Sequence, residues 1–202
     1  YAYHLRLTET MKLSLSVSAG LLQFLIDGSK IEFHDPNDPV MDDQLRGELL
    51  PDAKFGFHLY GERFWFGATA PQLLRNKVYF LDESRETLSR MEDHYYAMGG
   101  YRFPIGEDWR IEPSVLVKYT SPVPAKIDIN ATVRYKDTVW LGAGYRTNDA
   151  YCAMVGYWLK KTFQFGYSYD IITSNLRNHS SGTHEVMLAI TLGKEPAVPA
   201  VP

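Results

Sequence analysis

Apolar residues fall at every second position through about eleven segments of this chain, and scarcely any stretch shows helical spacing. The clearest segment alternates Phe163, Phe165, Tyr167 and Tyr169 with Gln164, Gly166, Ser168 and Asp170. Side chains on a strand point alternately to its two faces, so this segment has one aromatic face and one small or polar face. Val139, Leu141, Ala143 and Tyr145 oppose Trp140, Gly142, Gly144 and Arg146 in the same manner. Ile127, Ile129, Ala131, Val133 and Tyr135 oppose Lys126, Asp128, Asn130, Thr132 and Arg134. Upstream, Leu13, Leu15 and Val17 alternate with serines, Phe55 and Phe57 with Gly56 and His58, and Ile111, Val115 and Val117 with Glu112, Ser114 and Lys118. The chain reads as all-β.

Period two fits a soluble sandwich or a lipocalin-like barrel as well as a membrane barrel, because all of them give strands two unlike faces. Segment length and aromatic placement favour the membrane. Many segments run about 9–11 residues, the length a tilted strand needs to cross a bilayer. Near their ends stand Tyr60, Trp65, Tyr95, Tyr101, Trp109, Tyr119, Tyr135, Tyr145, Tyr157 and Trp158, which suits the interfacial girdles of outer-membrane proteins. The expected fold is an antiparallel transmembrane β-barrel over residues 1–192, with a flexible Pro/Ala tail over 193–202.

Short connections at Thr8 to Thr10, Gly61-Glu62, Pro104 to Asp108, Lys136-Asp137 and Lys160-Lys161 alternate with a second set. That set is Gly28 to Asp52, Gln72 to Asp93, Ser121 to Pro124, Asn148-Asp149 and Thr173 to His184, and it contains the three long ones. Outer-membrane barrels keep short turns periplasmic and long loops outside, which assigns the two sides and puts the C-terminus in the periplasm. An odd number of strands then starts Tyr1 on the outside, so at least one further strand is expected upstream of it unless the barrel closes with an odd count or a partner supplies the edge strand.

Composition removes two other classes. Across 202 residues the net charge is -3, with 45% hydrophobic and 14% aromatic residues, which excludes a disordered polyelectrolyte and a strongly basic nucleic-acid binder. Cys152 is the single cysteine, so no intramolecular disulfide and no cysteine-rich zinc site can form. No run approaches the roughly 20 apolar residues of a membrane-spanning helix, and the opening at Tyr1 lacks the pattern of a signal peptide.

Particular residues narrow the class further. The run Gly142-Ala143-Gly144-Tyr145-Arg146-Thr147-Asn148-Asp149-Ala150 is followed by Met154-Val155-Gly156-Tyr157 and Gly166-Tyr167-Ser168-Tyr169-Asp170. Then come Leu176-Arg177-Asn178 and Ser180-Ser181-Gly182-Thr183-His184-Glu185. In this order they resemble the C-terminal part of the PorP/SprF family, outer-membrane proteins of type IX secretion and gliding in Bacteroidetes. The resemblance is strongest from Val139 to Leu192 and extends upstream through Leu21-Leu22-Gln23-Phe24 and Asp35-Pro36-Asn37-Asp38-Pro39. It implies a non-enzymatic barrel, without cofactor, whose partners are type IX translocon components and a secreted surface protein.

Two groups of residues are the candidate sites. The first is the loop Thr173 to His184, where Asn175, Leu176, Arg177, Asn178, Ser180, Ser181, Thr183 and His184 surround the permissive Gly182. It serves either as a partner-binding surface or as a plug at the barrel mouth. The second is the charge on the polar strand faces: Arg102, Glu112, Lys118, Lys126, Asp128, Arg134, Arg146, Asp170 and Glu185. Interspersed opposite charges inside a narrow lumen are expected to pair and fill it, which favours a filled barrel over a diffusion channel. Two other chemistries carry less. Asp35, Asn37, Asp38, Asp42 and Asp43 lack the glycine turn and closing glutamate of a calcium loop, and read as a solvated acidic segment. His179 or His184 with Ser180 or Ser181 offers a hydrolase only without the usual Gly-x-Ser-x-Gly elbow.

Overall fold

The computed structural model describes residues 1–27, 45–77, 91–160, 162–178 and 180–192. The acidic run from Asp35 to Asp43, Lys161, His179, the side chain of Leu176 and the tail 193–202 lie outside the described residues.

Twelve strands form among the described residues: β1 (Ala2–Arg6), β2 (Lys12–Asp27), β3 (Leu45–Tyr60), β4 (Phe64–Ala70), β5 (His94–Tyr101), β6 (Phe103–Ile105), β7 (Trp109–Thr120), β8 (Val123–Tyr135), β9 (Val139–Arg146), β10 (Ala150–Leu159), β11 (Phe163–Ile172) and β12 (Thr183–Ile190). A 3-10 turn at Asn175–Asn178 lies between the last two. The strands belong to one antiparallel sheet in the order β1-β2-β3-β4-β5-β7-β8-β9-β10-β11-β12, with the short β6 paired to β7 beside that path. The all-β, antiparallel class expected from the alternation is the class observed.

The apolar face is exposed where a soluble sandwich would bury it. Val155, Phe165, Tyr167, Leu141 and Ile129 are all exposed, while Leu50 and Ala150 are the buried apolar residues among the described ones. Aromatic pairs gather at both strand ends of this face: Trp109 with Tyr135 at 4.6 Å and Tyr101 with Phe103 at 4.5 Å near the short turns, and Tyr145 with Tyr151 at 5.2 Å at the other end. Water on such a face would be costly, and the sheet therefore suits a lipid solvent.

Tight turns hold the register. Lys136 and Asp137 both adopt positive φ, and Thr138 N–H donates to the Tyr135 carbonyl at 2.9 Å, which closes a three-residue loop from Lys136 to Thr138. From that turn the β8–β9 ladder runs from Tyr135 opposite Val139 to Asp128 opposite Arg146.

Two details differ from the sequence expectation. The connection expected from Gly28 to Asp52 ends earlier, because residues 45–52 are strand and β2 and β3 pair without interruption from Lys12↔Tyr60 to Asp27↔Leu45. Pro51 and Asp52 look like a strand break, yet the missing Pro51 N–H lies on the edge towards β4, which has already ended at Ala70. Trp65 and Tyr60 also leave the girdle: Trp65 lies against Gly100, and Tyr60 stacks on His58 at 4.9 Å on the polar face.

The chain forms two compact units. One comprises Tyr1–Tyr60, Gly67–Ala97 and Lys118–Ala125, and the other Gly61–Phe66, Met98–Val117 and Lys126–Pro202. The first contains the β2–β3 hairpin, and the second the β8–β12 meander with the charged clusters described next.

Candidate functional site

The polar face of the second unit carries two ion clusters of opposite composition. Glu112 on β7 is the centre of the first. It lies 2.7 Å from Arg110, 3.0 Å from Arg134 and 3.5 Å from Arg102, and Arg110 also pairs with Asp137 in the β8–β9 turn. The Arg134 guanidinium lies 5.8 Å from the centre of the Trp140 ring, so it satisfies a carboxylate and an aromatic face together. Just outside this end, hydrogen bonding to the Tyr135 phenol and then the Asp108 carboxylate hold the Lys136 ammonium above its ordinary value.

Arg146 on β9 is the centre of the second cluster. Its guanidinium donates to Asp170 at 2.9 Å, and Asp149 and Asp128 lie at 3.7 and 3.8 Å. Asp128 is directly opposite it on β8, whereas Asp170 is two strands away on β11. The guanidinium crosses β10 because small residues, Ala150 and Cys152, occupy that strand's polar face between them. Asp128 and Asp170 keep only 8% and 7% of their surface exposed, so these two carboxylates are buried while Arg146 and Asp149 stay partly exposed.

Trp140 fills the polar face beside the first cluster. A Cβ at Gly156, its partner on β10, would overlap the indole, so glycine is what allows the ring to lie flat across that strand. Side chains of Met154 and Asn130 close over Gly142 and Gly144. Gly142, Gly144 and Gly156 are therefore packing positions on the charged face.

The connection from β11 to β12 is anchored at several points. The Asp149 carbonyl accepts the Thr173 N–H at 2.8 Å, the Thr173 hydroxyl at 3.0 Å and the Ser174 N–H at 3.2 Å. Asn175, Arg177 and Asn178 project from the 3-10 turn and are exposed. Tyr169 donates to the Ser181 carbonyl at 2.7 Å. Gly182 has φ +131°, and a Cβ there would sit 2.6 Å from the Tyr169 hydroxyl and 2.7 Å from the Asp170 carbonyl. Ser180 accepts the Gly182 N–H at 3.4 Å.

Thr183 and His184 belong to β12. His184 pairs opposite Tyr169 on the aromatic face, and its Nδ1 is 2.7 Å from the Tyr167 hydroxyl. That ring therefore faces away from the charged clusters. The loop and the Arg146 cluster are tied together by Asp149, whose carbonyl holds the loop and whose carboxylate faces Arg146.

Of the charges expected on the polar face, Arg102, Glu112 and Arg134 join the first cluster, and Asp128, Arg146 and Asp170 the second. Glu185 accepts from Ser168 at 3.4 Å, Lys126 is exposed, and Lys118 lies on β7 in the other compact unit. Arg110, Asp137 and Asp149 are members that sequence reasoning passed over. Arg110 is legible in retrospect, two positions from Glu112 and hence on its face, while Asp137 and Asp149 sit in turns where alternation stops.

Residues 1–190 match the model of a family described as type IX secretion system membrane protein PorP/SprF. No curated protein matches the chain.

Proposed function

We propose, because the chain belongs to the PorP/SprF family of type IX secretion system membrane proteins, that it is an accessory outer-membrane β-barrel that receives or anchors a secreted cell-surface protein at the translocon. In this reading the exposed aromatic face meets lipid, the charged face lines the lumen, the long connections lie outside, and the short turns and C-terminus are periplasmic. The observation that carries it is the pairing of an exposed apolar face with an opposite face filled by the Glu112 and Arg146 clusters and Trp140. Such a wall favours a rigid platform over a water-filled diffusion channel.

The anchored loop at Asn175–Asn178 is the partner contact in this proposal, because Asn175, Arg177 and Asn178 offer exposed directional donors on a turn fixed from below. The role is non-enzymatic: the His184 Nδ1 is engaged by Tyr167 on the aromatic face. Affinity isolation of the full-length protein from gently solubilised, cross-linked outer membranes tests the proposal. Recovery of translocon components or of one large surface protein, lost on Arg177→Glu, is the expected result. A barrel recovered alone, with ion conductance in planar bilayers, would replace this reading with the channel.

A further inference from the structure

The Glu112 cluster carries more cation than its carboxylates use. All three arginines approach Glu112 through Nε: Arg110 and Arg102 reach Oε1 at 2.7 and 3.5 Å, and Arg134 reaches Oε2 at 3.0 Å. At the outer ends of the guanidiniums, Arg110 Nη2 bonds Asp137 and Arg102 Nη1 donates to the Glu62 carbonyl at 3.3 Å. The remaining nitrogens, Arg110 Nη1, Arg102 Nη2 and both Nη of Arg134, donate no hydrogen bond among the described residues.

Those nitrogens are open to a ligand. The one nitrogen of the cluster that is both closed off and without a hydrogen bond is Arg110 Nε, which is held ionically against Glu112. The side chains of Arg102, Arg110 and Arg134 keep 37%, 32% and 25% of their surface, whereas Glu112 keeps 16%. The cations therefore form the accessible surface, and the carboxylate they share lies deeper.

Charge balance points the same way. Three guanidiniums face two carboxylates, Glu112 and Asp137, which leaves one positive charge. Lys136 in the turn does not alter the count, because Asp108 matches it at 3.6 Å. The Trp140 ring beside Arg134 adds an apolar wall, which suits an organic anion better than a halide.

We propose that Arg102, Arg110 and Arg134 form a site for one carboxylate group, as borne by a glutamate side chain or a small organic acid. A carboxylate supplies the single missing charge, and its two coplanar oxygens match the guanidinium fork. A phosphate, near -2, would overshoot the balance. The incoming oxygens accept from the free Nη groups, and Glu112 keeps its Nε contacts. The inference is independent of the translocon role.

Thermal unfolding of the full-length protein in detergent tests the site, with sodium acetate and N-acetyl-glutamate methylamide as probes, each set against sodium chloride at equal ionic strength. N-acetyl-glutamine methylamide is the uncharged control. Both carboxylates should raise the midpoint saturably above the chloride baseline, and the glutamine amide should not. The concentration dependence then gives an apparent affinity for each variant, whatever its own starting midpoint. Arg102→Gln, which removes the longest of the Glu112 contacts, should weaken that affinity about tenfold. Glu112→Gln removes the competing carboxylate and should tighten it about threefold, an effect that a purely structural cluster would not give. Lys126→Gln removes an exposed positive charge eight residues along β8 from Arg134, about 26 Å away, and should leave it unchanged. A glutamate amide that binds more tightly than acetate assigns the site to a polypeptide side chain, and one that binds no more tightly assigns it to small free acids. No shift beyond chloride in the wild type, wild-type affinity in Arg102→Gln, or weaker binding in Glu112→Gln would overturn the proposal, and the last of these decides even if Arg102→Gln fails to fold.

Discussion

The two clusters on the polar face of the second unit have inverse centres: Glu112 among three guanidiniums, one of which also holds Asp137 in the turn, and Arg146 among three carboxylates. They lie apart along the same strand, since Arg134 is near the end of β8 and Asp128 near its middle, about 20 Å away. The inversion matters because the two charge types tolerate burial differently. Arginine keeps a long stem between backbone and charge, so Arg102, Arg110 and Arg134 stay partly exposed while they share Glu112. Aspartate has no such reach, and Asp128 and Asp170 are committed to the interior by their backbone positions. The first cluster can lose its centre and relax into water, whereas the second cannot.

The largest expected effect follows from that asymmetry. Arg146→Ala leaves the buried Asp170 carboxylate without its closest cation and should cost about 3–5 kcal/mol, the range for breaking a buried ion pair from one side. Thermal unfolding in detergent reads this directly. If Asp170→Asn restores part of the loss in the double variant, the penalty belongs to the stranded charge. A loss of under about 1 kcal/mol would mean that water reaches these carboxylates and that the clusters do not differ in burial.

Gly156→Val comes next. It does not change charge, but it forces Trp140 off β10 and with it the ring against which Arg134 is held. Overpacking of this kind costs about 1–3 kcal/mol. Trp140→Ala in the same chain should recover much of that cost, because the clash then has no second partner. Failure of the rescue would show that Gly156 is required by backbone geometry alone.

Glu112→Gln should cost less than Arg146→Ala, about 1–2 kcal/mol, because the three guanidiniums it leaves behind can turn towards solvent. The loss should shrink as salt screens their mutual repulsion, while the Arg146→Ala loss should be nearly insensitive to salt. Equal salt responses would contradict the difference in burial on which the ranking rests.

Much of this arrangement can be read from the sequence, and what cannot has identifiable causes. Asp128 opposite Arg146 follows once the β8–β9 loop is given three residues, Lys136 to Thr138, whereas a two-residue Lys136-Asp137 turn would set Asp128 against Tyr145. Cys152 opposite Asp170 likewise rests on Leu159 lying opposite Phe163, one residue further along than a two-residue Lys160-Lys161 turn would give. Glu112 with Arg134 does not follow, because the β7–β8 connection fixes no register from sequence alone. The reach from Arg146 across β10 also needs Ala150 and Cys152 to be small and under it, a fact about three strands where period two describes one. The strand at residues 45–52 stayed hidden for another reason: Pro51 and Asp52 carry the composition of a turn, and only the end of β4 makes an unpaired Pro51 edge acceptable. The burial of Asp52 shows no sequence signal at all, since it depends on the segment after β4 folding back on β3.

The smallest expected effect separates charge from burial within the Arg146 cluster itself. Asp149 and Asp170 both face the Arg146 Nη1, but Asp149 lies at 3.7 Å with 29% of its side chain exposed, against 2.9 Å and 10% for Asp170. Its carbonyl anchors Thr173 and Ser174, and Asp149→Asn leaves that carbonyl untouched, so the loop should keep its place. An exposed, longer contact contributes about 0–1 kcal/mol, and Asp149→Asn should therefore move the unfolding midpoint very little while Asp170→Asn lowers it clearly. Removing one of three carboxylates also relieves their mutual repulsion, which offsets part of the lost attraction. If Asp149→Asn proved as costly as Asp170→Asn, the number of charges around Arg146 would govern the cluster, and the contrast with Glu112 would be one of charge count alone.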